Sequence, residues 1–109
     1  MAIQYSRWER RDGADRDALG KAALAACRAA RTDDSRTRFY WASMDEIVFL
    51  TEAPELRDFF AGTTPELASA FFAFSDLARR TDYQLWSDAG RGEQTYRAAQ
   101  EAQLAGARR

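Results

Sequence analysis

Hydrophobic and polar residues alternate along three stretches of this chain, and such alternation predicts β-strands. The first stretch covers residues 3–9 and the last covers residues 81–88. Between them, residues 36–52 have the sequence RTRFYWASMDEIVFLTE, in which an aromatic segment and an aliphatic segment flank a polar turn at 43–45. Aromatic and β-branched side chains favour strands, so this middle stretch predicts a β-hairpin.

Apolar residues at helical spacing predict two α-helices that separate these strands. The first helix covers residues 14–31 and is rich in alanine. Asp12 and Asp15 precede it, and either residue can cap its N-terminus. Because its apolar stripe consists mostly of methyl groups, we expect this helix to lie close against a sheet.

The second helix is expected to begin within the segment Thr63-Thr64-Pro65-Glu66 and to extend to about Arg80. Either Thr63 and Glu66 form a capping box, or Thr64 caps the helix with Pro65 at its first position. The basic residues at the far end complement the helix dipole.

The predicted elements follow the order β-α-β-β-α-β, with a further, weakly apolar helix over residues 93–105. This is the order of a ferredoxin-like α+β fold, in which a four-stranded antiparallel sheet carries two helices on one face. Strands one and four are expected to be the outer strands. A chain of 109 residues has the usual size of one domain, so we expect residues 1–109 to form a single domain.

The second strand of the hairpin is apolar on both faces, because Ile47 and Phe49 alternate with Val48 and Leu50. In a sheet with helices on one side only, the other side of such a strand needs a second cover. A second copy of the chain is the simplest cover, and we therefore expect a homodimeric α+β barrel.

Charge and composition exclude several classes of partner. The chain has 16 basic and 17 acidic residues, so its net charge is −1 and it lacks the basic patch typical of nucleic-acid binding. No apolar run is long enough to span a membrane, and the N-terminal residues lack the pattern of a signal peptide. Cys27 is the one cysteine, which excludes an internal disulfide and favours a cytoplasmic location.

The sequence contains no histidine. This excludes general-base catalysis by histidine, the catalytic triads that use it, and haem or zinc sites with histidine ligands. The acidic residues of the loops show no clustered spacing that would suit a metal ion. We therefore expect neither a metal nor a cofactor.

The segments IQYSRWE, RTRFYWASMDEIVFLTE and TDYQLWSDA, arranged around two helices, resemble the dimeric α+β barrel superfamily. Members of that superfamily pair two ferredoxin-like sheets face to face. Its haem-binding branches rely on a histidine that this chain lacks. Its cofactor-free monooxygenases use Trp, Tyr, Asn and Arg side chains in a pocket, and this chain has all of these except asparagine. The resemblance implies a small enzyme of the monooxygenase, cyclase or isomerase type.

Polar and aromatic side chains of the predicted strands are the candidate site residues. Tyr40 and Arg38 are expected to be catalytic. Arg38 either holds an anionic or phenolate oxygen of a substrate, or pairs with Glu46 or Glu52 across the hairpin.

Substrate binding is expected at Ser6 and Trp8 of the first strand and at Gln84 and Trp86 of the last strand. Matching alternation would bring these side chains together as apolar walls with a few polar groups, which is typical of a small-molecule site. The alternative is that the aromatic residues belong to the core or to a dimer interface.

Two functions remain open at this point. The first is a small-molecule-binding homodimer that acts on an apolar or aromatic metabolite as a cofactor-free monooxygenase, cyclase or isomerase. The second is a non-catalytic dimerisation module or an accessory subunit of a biosynthetic complex. A pocket with Tyr or Arg directed into it favours the first function, whereas tight packing of the same side chains favours the second.

Overall fold

The computed structural model describes residues 1–55, 59, 64–87 and 100–104 of the chain. It confirms the ferredoxin-like order. The elements are β1 (Ala2–Arg10), α1 (Arg16–Ala29), β2 (Arg36–Trp41), β3 (Glu46–Ala53), α2 (Pro65–Leu77) and β4 (Ala78–Ser87). Residues 100–104 are helical, and the rest of the helix predicted over 93–105 lies outside the described residues.

The strands form a four-stranded antiparallel sheet in the order β2-β3-β1-β4. Strand β4 is an outer strand, as predicted, but β1 lies inside the sheet between β3 and β4. The prediction that the first strand is an outer strand is therefore wrong. Strand order depends on long-range pairing, which the alternation within one strand does not determine.

Helix α1 uses the second of its two possible caps. The Asp15 carboxylate oxygen Oδ2 accepts a hydrogen bond from the Ala18 N–H at 2.9 Å. The turn before this cap passes through Gly13, whose φ of +81° lies in the region that favours glycine. The buried residues of α1 are Leu19, Ala23, Ala26 and Cys27.

Helix α2 begins with Thr64 as its N-cap and Pro65 at its first position. The hydroxyl oxygen of Thr64 accepts a hydrogen bond from the Leu67 N–H at 3.2 Å. This is the second of the two starts weighed above. The helix ends at Leu77, and β4 begins at the next residue, Ala78, without an intervening loop.

The predicted extension of α2 to Arg80 is wrong. Ala78 already has extended backbone angles, with φ −144° and ψ 155°. Arg79 lies opposite Glu9 of β1, and its Nη2 atom is 2.9 Å from the Glu9 carboxylate. Pairing with β1 therefore outweighs the helix propensity of this segment.

The core lies between the sheet and the two helices. Phe74 of α2 is fully buried, and its ring meets Trp8 and Phe49 edge-on at centroid distances of 5.1 and 4.9 Å. Leu19 and Ile47 are fully buried in the same cluster. One face of β3 is therefore covered by the helices, as the sequence predicts.

The opposite face of the sheet, which we call the open face, carries no helix among the described elements. Val48 and Leu50 lie on it and are only half-buried. Its apolar and aromatic side chains are Ile3, Tyr5, Tyr40, Val48, Leu50 and Trp86. The second cover expected there stays a prediction.

Candidate functional site

Strand pairing distributes the predicted site residues over both faces of the sheet. Ser6 of β1 lies opposite Tyr83 of β4, and Trp8 shares their face, towards the helices. Gln84 and Trp86 flank these positions in β4 and lie on the open face. The prediction that Ser6 and Trp8 share a face with Gln84 and Trp86 is therefore wrong, because a difference of one residue in register exchanges the two faces.

Ser6 and Trp8 lie beneath the helices. The Trp8 indole donates a hydrogen bond to the Ser6 hydroxyl oxygen at 2.9 Å, and the Trp8 ring packs on Phe74. Trp8 is thus part of the core, and the Ser6 hydroxyl provides the hydrogen-bond acceptor for its indole N–H. A substrate-binding role for either residue stays a prediction.

Arg38 and Tyr40 lie on the open face of β2, at the opposite edge of the sheet from β4. Strands β3 and β1 separate β2 from β4, which corresponds to about 14 Å at the usual strand spacing. Within one chain, these candidate catalytic residues therefore do not share a site with Gln84 and Trp86. Their catalytic role stays a prediction.

Glu46 pairs with Arg7 of β1 and not with Arg38. The Arg7 Nε atom is 2.7 Å from the Glu46 carboxylate. Hydrogen bonding between the two side chains raises the pKa of Arg7 and lowers the pKa of Glu46. Neither cross-hairpin pairing weighed for Arg38 forms, because Arg38 and Glu52 make no ion pair within the described part of the chain.

Gln84 and Trp86 do lie together. The Trp86 indole donates a hydrogen bond to the Gln84 side-chain oxygen at 2.9 Å. The Trp86 ring stacks on Tyr5 with a centroid distance of 5.6 Å and an interplanar angle of 21°. Trp86 is nevertheless 44% exposed, so an aromatic surface remains accessible at the edge of the sheet.

Sequence reasoning missed a hydrogen-bonded group on the helix-facing side of β4. The Tyr83 hydroxyl oxygen accepts hydrogen bonds from Gln4 Nε2 at 2.8 Å and from Gln103 Nε2 at 2.9 Å. We call Gln4, Tyr83 and Gln103 the Tyr83 cluster. The alternation within β1 and β4 places Gln4 and Tyr83 on one face of the sheet, but only when the register between the two strands is known. No local pattern connects Gln103 to them.

An open groove of about 380 Å³ adjoins the Tyr83 cluster along the outer edge of β4. Its volume lies within the usual range for small-molecule sites, and its lining combines two apolar side chains with one tyrosine and three glutamines. We call it the β4 groove. Its lining residues are Tyr83, Gln84, Leu85, Trp86, Gln100 and Gln103.

The described ranges can be compared with the requirements of a metal site and of a membrane-spanning helix. No group of Cys, Asp and Glu side chains there could hold a metal ion. None of the helices described is long and apolar enough to cross a bilayer.

The fold and the groove together define a ferredoxin-like α+β protein with a candidate small-molecule site at one edge of its sheet. Solved structures of this fold include SnoaB, a cofactor-independent oxygenase from Streptomyces nogalater. It superposes with a TM-score of 0.64 at 14% identity, over 80% of this chain and 91% of that one.

A second similar structure is a putative antibiotic biosynthesis monooxygenase from Chloroflexus aurantiacus J-10-fl. It has a TM-score of 0.67 at 14% identity, over 82% of this chain and 93% of that one. A third is a dimeric protein of unknown function with a ferredoxin-like fold from Bacteroides fragilis NCTC 9343. Its TM-score is 0.53 at 13% identity, over 80% and 96% of the two chains.

These similarities confirm, at the level of the fold, the resemblance inferred from the sequence. The chain has the ferredoxin-like fold of antibiotic biosynthesis monooxygenase-type proteins, and one of the similar proteins is dimeric. No protein-family model matches the sequence. No curated protein matches it significantly either.

Proposed function

We propose that this protein is a homodimeric α+β barrel that binds a small apolar or aromatic metabolite in the β4 groove. We further propose that it acts on this metabolite as a cofactor-independent oxygenase of the cytoplasm. The carrying observation is the Tyr83 cluster, which places polar groups beside the apolar walls of Leu85 and Trp86. The oxygenase fold of SnoaB supports the reaction class.

Without a cofactor, the substrate itself must supply the electrons that reduce dioxygen. This requirement limits the substrates to phenol-like or enolisable compounds, which lose a proton to give an electron-rich anion. The protein then contributes positioning and hydrogen bonds to the developing charge. Cyclisation or isomerisation of the same class of compound needs the same groups and no oxygen.

Ligand binding and oxygen use can be measured separately. Binding of hydroxylated aromatic compounds is followed by isothermal titration calorimetry, and turnover by oxygen consumption with mass analysis of the product. Trp86→Ala is expected to weaken binding about tenfold, since it removes most of an aromatic wall. Phe72→Ala is the matched control, because Phe72 is a 73% exposed aromatic residue on α2 that does not line the groove.

Three outcomes are informative for this proposal. Binding with oxygen consumption supports the oxygenase. Binding without oxygen consumption supports a cyclase, an isomerase or a binding protein. If no compound of the panel binds, or if Phe72→Ala weakens binding as much as Trp86→Ala does, the groove is not the site.

Dimerisation through the open face is a separate part of the proposal. Exposed apolar side chains on a sheet face that none of the described elements covers favour association with a second copy. Tyr40 and Trp86 are 49% and 44% exposed there, and Leu50 lies between them near the centre of the sheet. Such a pairing also brings Tyr40 of one chain close to the sheet of its partner.

The dimer is tested by sedimentation equilibrium of Leu50→Lys. We expect this variant to be monomeric at concentrations at which the wild-type chain is dimeric, because it buries a charge in the interface. Leu24→Lys is the control, since Leu24 is a 41% exposed leucine on α1. A monomeric wild-type chain would contradict the proposal.

The second candidate function is a non-catalytic dimerisation module. The open face favours it, because an apolar sheet face can serve association alone. The same two experiments separate the candidates: a dimer that binds none of the compounds is the module.

A further inference from the structure

The Tyr83 hydroxyl occupies an unusual position among the polar groups of the sheet. Two amide nitrogens, Gln4 Nε2 and Gln103 Nε2, donate to its oxygen at 2.8 and 2.9 Å. A phenolic oxygen has two lone pairs and one proton. Both lone pairs are therefore engaged, and the hydroxyl can only donate its proton to a further partner. In both of these hydrogen bonds the Tyr83 oxygen is the acceptor, so neither of them uses the hydroxyl proton.

A positive charge lies beside the same ring. The Arg80 guanidinium carbon is 4.8 Å from the centroid of the Tyr83 ring. Arg80 makes no hydrogen bond or ion pair within the described part of the chain, so no carboxylate there neutralises it. Asp82, the nearest acidic residue along β4, pairs opposite Arg7 on the other face of the sheet.

The amide donors and the guanidinium act in the same direction. The amide N–H groups point at the Tyr83 oxygen and the guanidinium lies over its ring, so all three place positive charge around the side chain. Hydrogen bonds to an ionised acceptor are about twice as strong as those between neutral groups. An acceptor that carries negative charge therefore gains more from this hydroxyl than a neutral acceptor of the same shape.

We propose that Tyr83 is a specificity residue whose hydroxyl donates to an anionic oxygen of a flat, apolar ligand bound in the β4 groove. This inference rests on the proposed function and names the ligand's chemistry: an aromatic body against Leu85 and Trp86, with an oxyanion at Tyr83. Phenolates and carboxylates share this chemistry. Gln4 is a positioning residue, because it does not line the groove and acts only through Tyr83, whereas Gln103 also lines the groove.

The experiment compares three para-substituted nitrobenzenes of similar size and shape. 4-Nitrophenolate and 4-nitrobenzoate carry an oxyanion, whereas 4-nitroanisole is neutral. Binding to the wild-type chain is measured by fluorescence quenching at a pH at which both acids are ionised. We expect at least one anion to bind about tenfold more tightly than 4-nitroanisole, as a charge-assisted hydrogen bond would give. The anion that binds more tightly shows whether the oxyanion of the ligand is a phenolate or a carboxylate.

Variants assign this preference to Tyr83. Tyr83→Phe is expected to reduce the affinity for the preferred anion about tenfold and to leave the affinity for 4-nitroanisole unchanged. Gln4→Glu is expected to remove the preference for anions, because a carboxylate accepts the Tyr83 proton and repels the ligand. Thr37→Val is the control: it removes a hydroxyl from the same sheet face at the far edge, where Thr37 meets Thr51 at 2.9 Å.

The outcomes separate this inference from the function on which it rests. If 4-nitroanisole binds as tightly as both anions, the inference fails while ligand binding stands. If none of the three probes binds, both fail. If Tyr83→Phe does not fold, the ratio of anion affinity to 4-nitroanisole affinity in the wild-type chain still tests the preference for anions. If Thr37→Val lowers the affinity for the anion more than the affinity for 4-nitroanisole, the assignment of the preference to Tyr83 is contradicted.

Discussion

At the scale of the residue, burial determines the chemistry of Cys27. This cysteine lies on the covered face of α1, in the cluster that contains Leu19 and Phe74. Burial raises the pKa of its thiol to about 11. The thiolate is the reactive form, so Cys27 is an unreactive, small apolar residue of the core.

The reactivity of Cys27 can be measured with a thiol reagent such as dithiobis(nitrobenzoate). At pH 8 we expect the folded chain to react roughly 200-fold more slowly than the chain in urea, from the difference in thiolate fraction alone. Since the folded pKa is the higher one, stability is full below about pH 8.5 and falls as the pH rises towards 11. Equal rates for the folded and unfolded chain would contradict this account.

The same scale shows where sequence reasoning succeeds and where it fails. The burial of Cys27 follows from the helical spacing of its neighbours, which is a local pattern. The role of Tyr83 does not, because its partners come from β1 and from residues 100–104. The pattern identifies the alternation of β4 but not which face meets the helices.

At the scale of the element, the N-termini of the helices are predicted better than their C-termini. Asp15 and Thr64 are short polar residues directly before helix-forming segments, and both are N-caps in the structure. The end of α2 was not predictable in this way. Residues 78–80 favour a helix locally, and only their pairing with β1 makes them a strand.

The cap of α1 supports a quantitative prediction. Asp15→Ala removes the hydrogen bond to the Ala18 N–H and is expected to lower the free energy of unfolding by about 1 kcal/mol. Asp12→Ala is the control, because Asp12 is an exposed acidic residue of the same segment and does not cap the helix. Urea denaturation measures both variants. Equal losses would indicate a general charge effect instead of a cap.

At the scale of the whole molecule, the sheet separates the predicted site residues into distinct groups. The β4 groove contains Gln84 and Trp86, whereas Arg38 and Tyr40 lie at the other edge of the open face. A site that uses all of them requires two chains. Local alternation predicted these side chains individually, but their separation follows from the strand order, which is a property of the entire fold.

The Arg7–Glu46 pair on the open face makes the free energy of unfolding depend on pH in the acidic range. Because the folded pKa of Glu46 is lowered, its contribution is present above its unfolded pKa of about 4.3 and is lost as the pH falls through the folded value. Glu46→Gln is expected to reduce the loss of stability on acidification. Glu52→Gln on the same strand is the control. Thermal unfolding between pH 3 and pH 6 measures both, and identical pH profiles for Glu46→Gln and the wild type would contradict the prediction.

The direct junction of α2 and β4 has a consequence for changes in chain length. Leu77 ends the helix and Ala78 begins the strand, so no spare residue there can absorb an insertion. One added residue would exchange the faces of β4 and move the Tyr83 hydroxyl away from Gln4, whereas two added residues would restore them. We therefore expect one residue added at this junction to disturb the Tyr83 cluster more than two added residues, unless a bulge such as the one between Arg7 and Trp8 takes up the single residue.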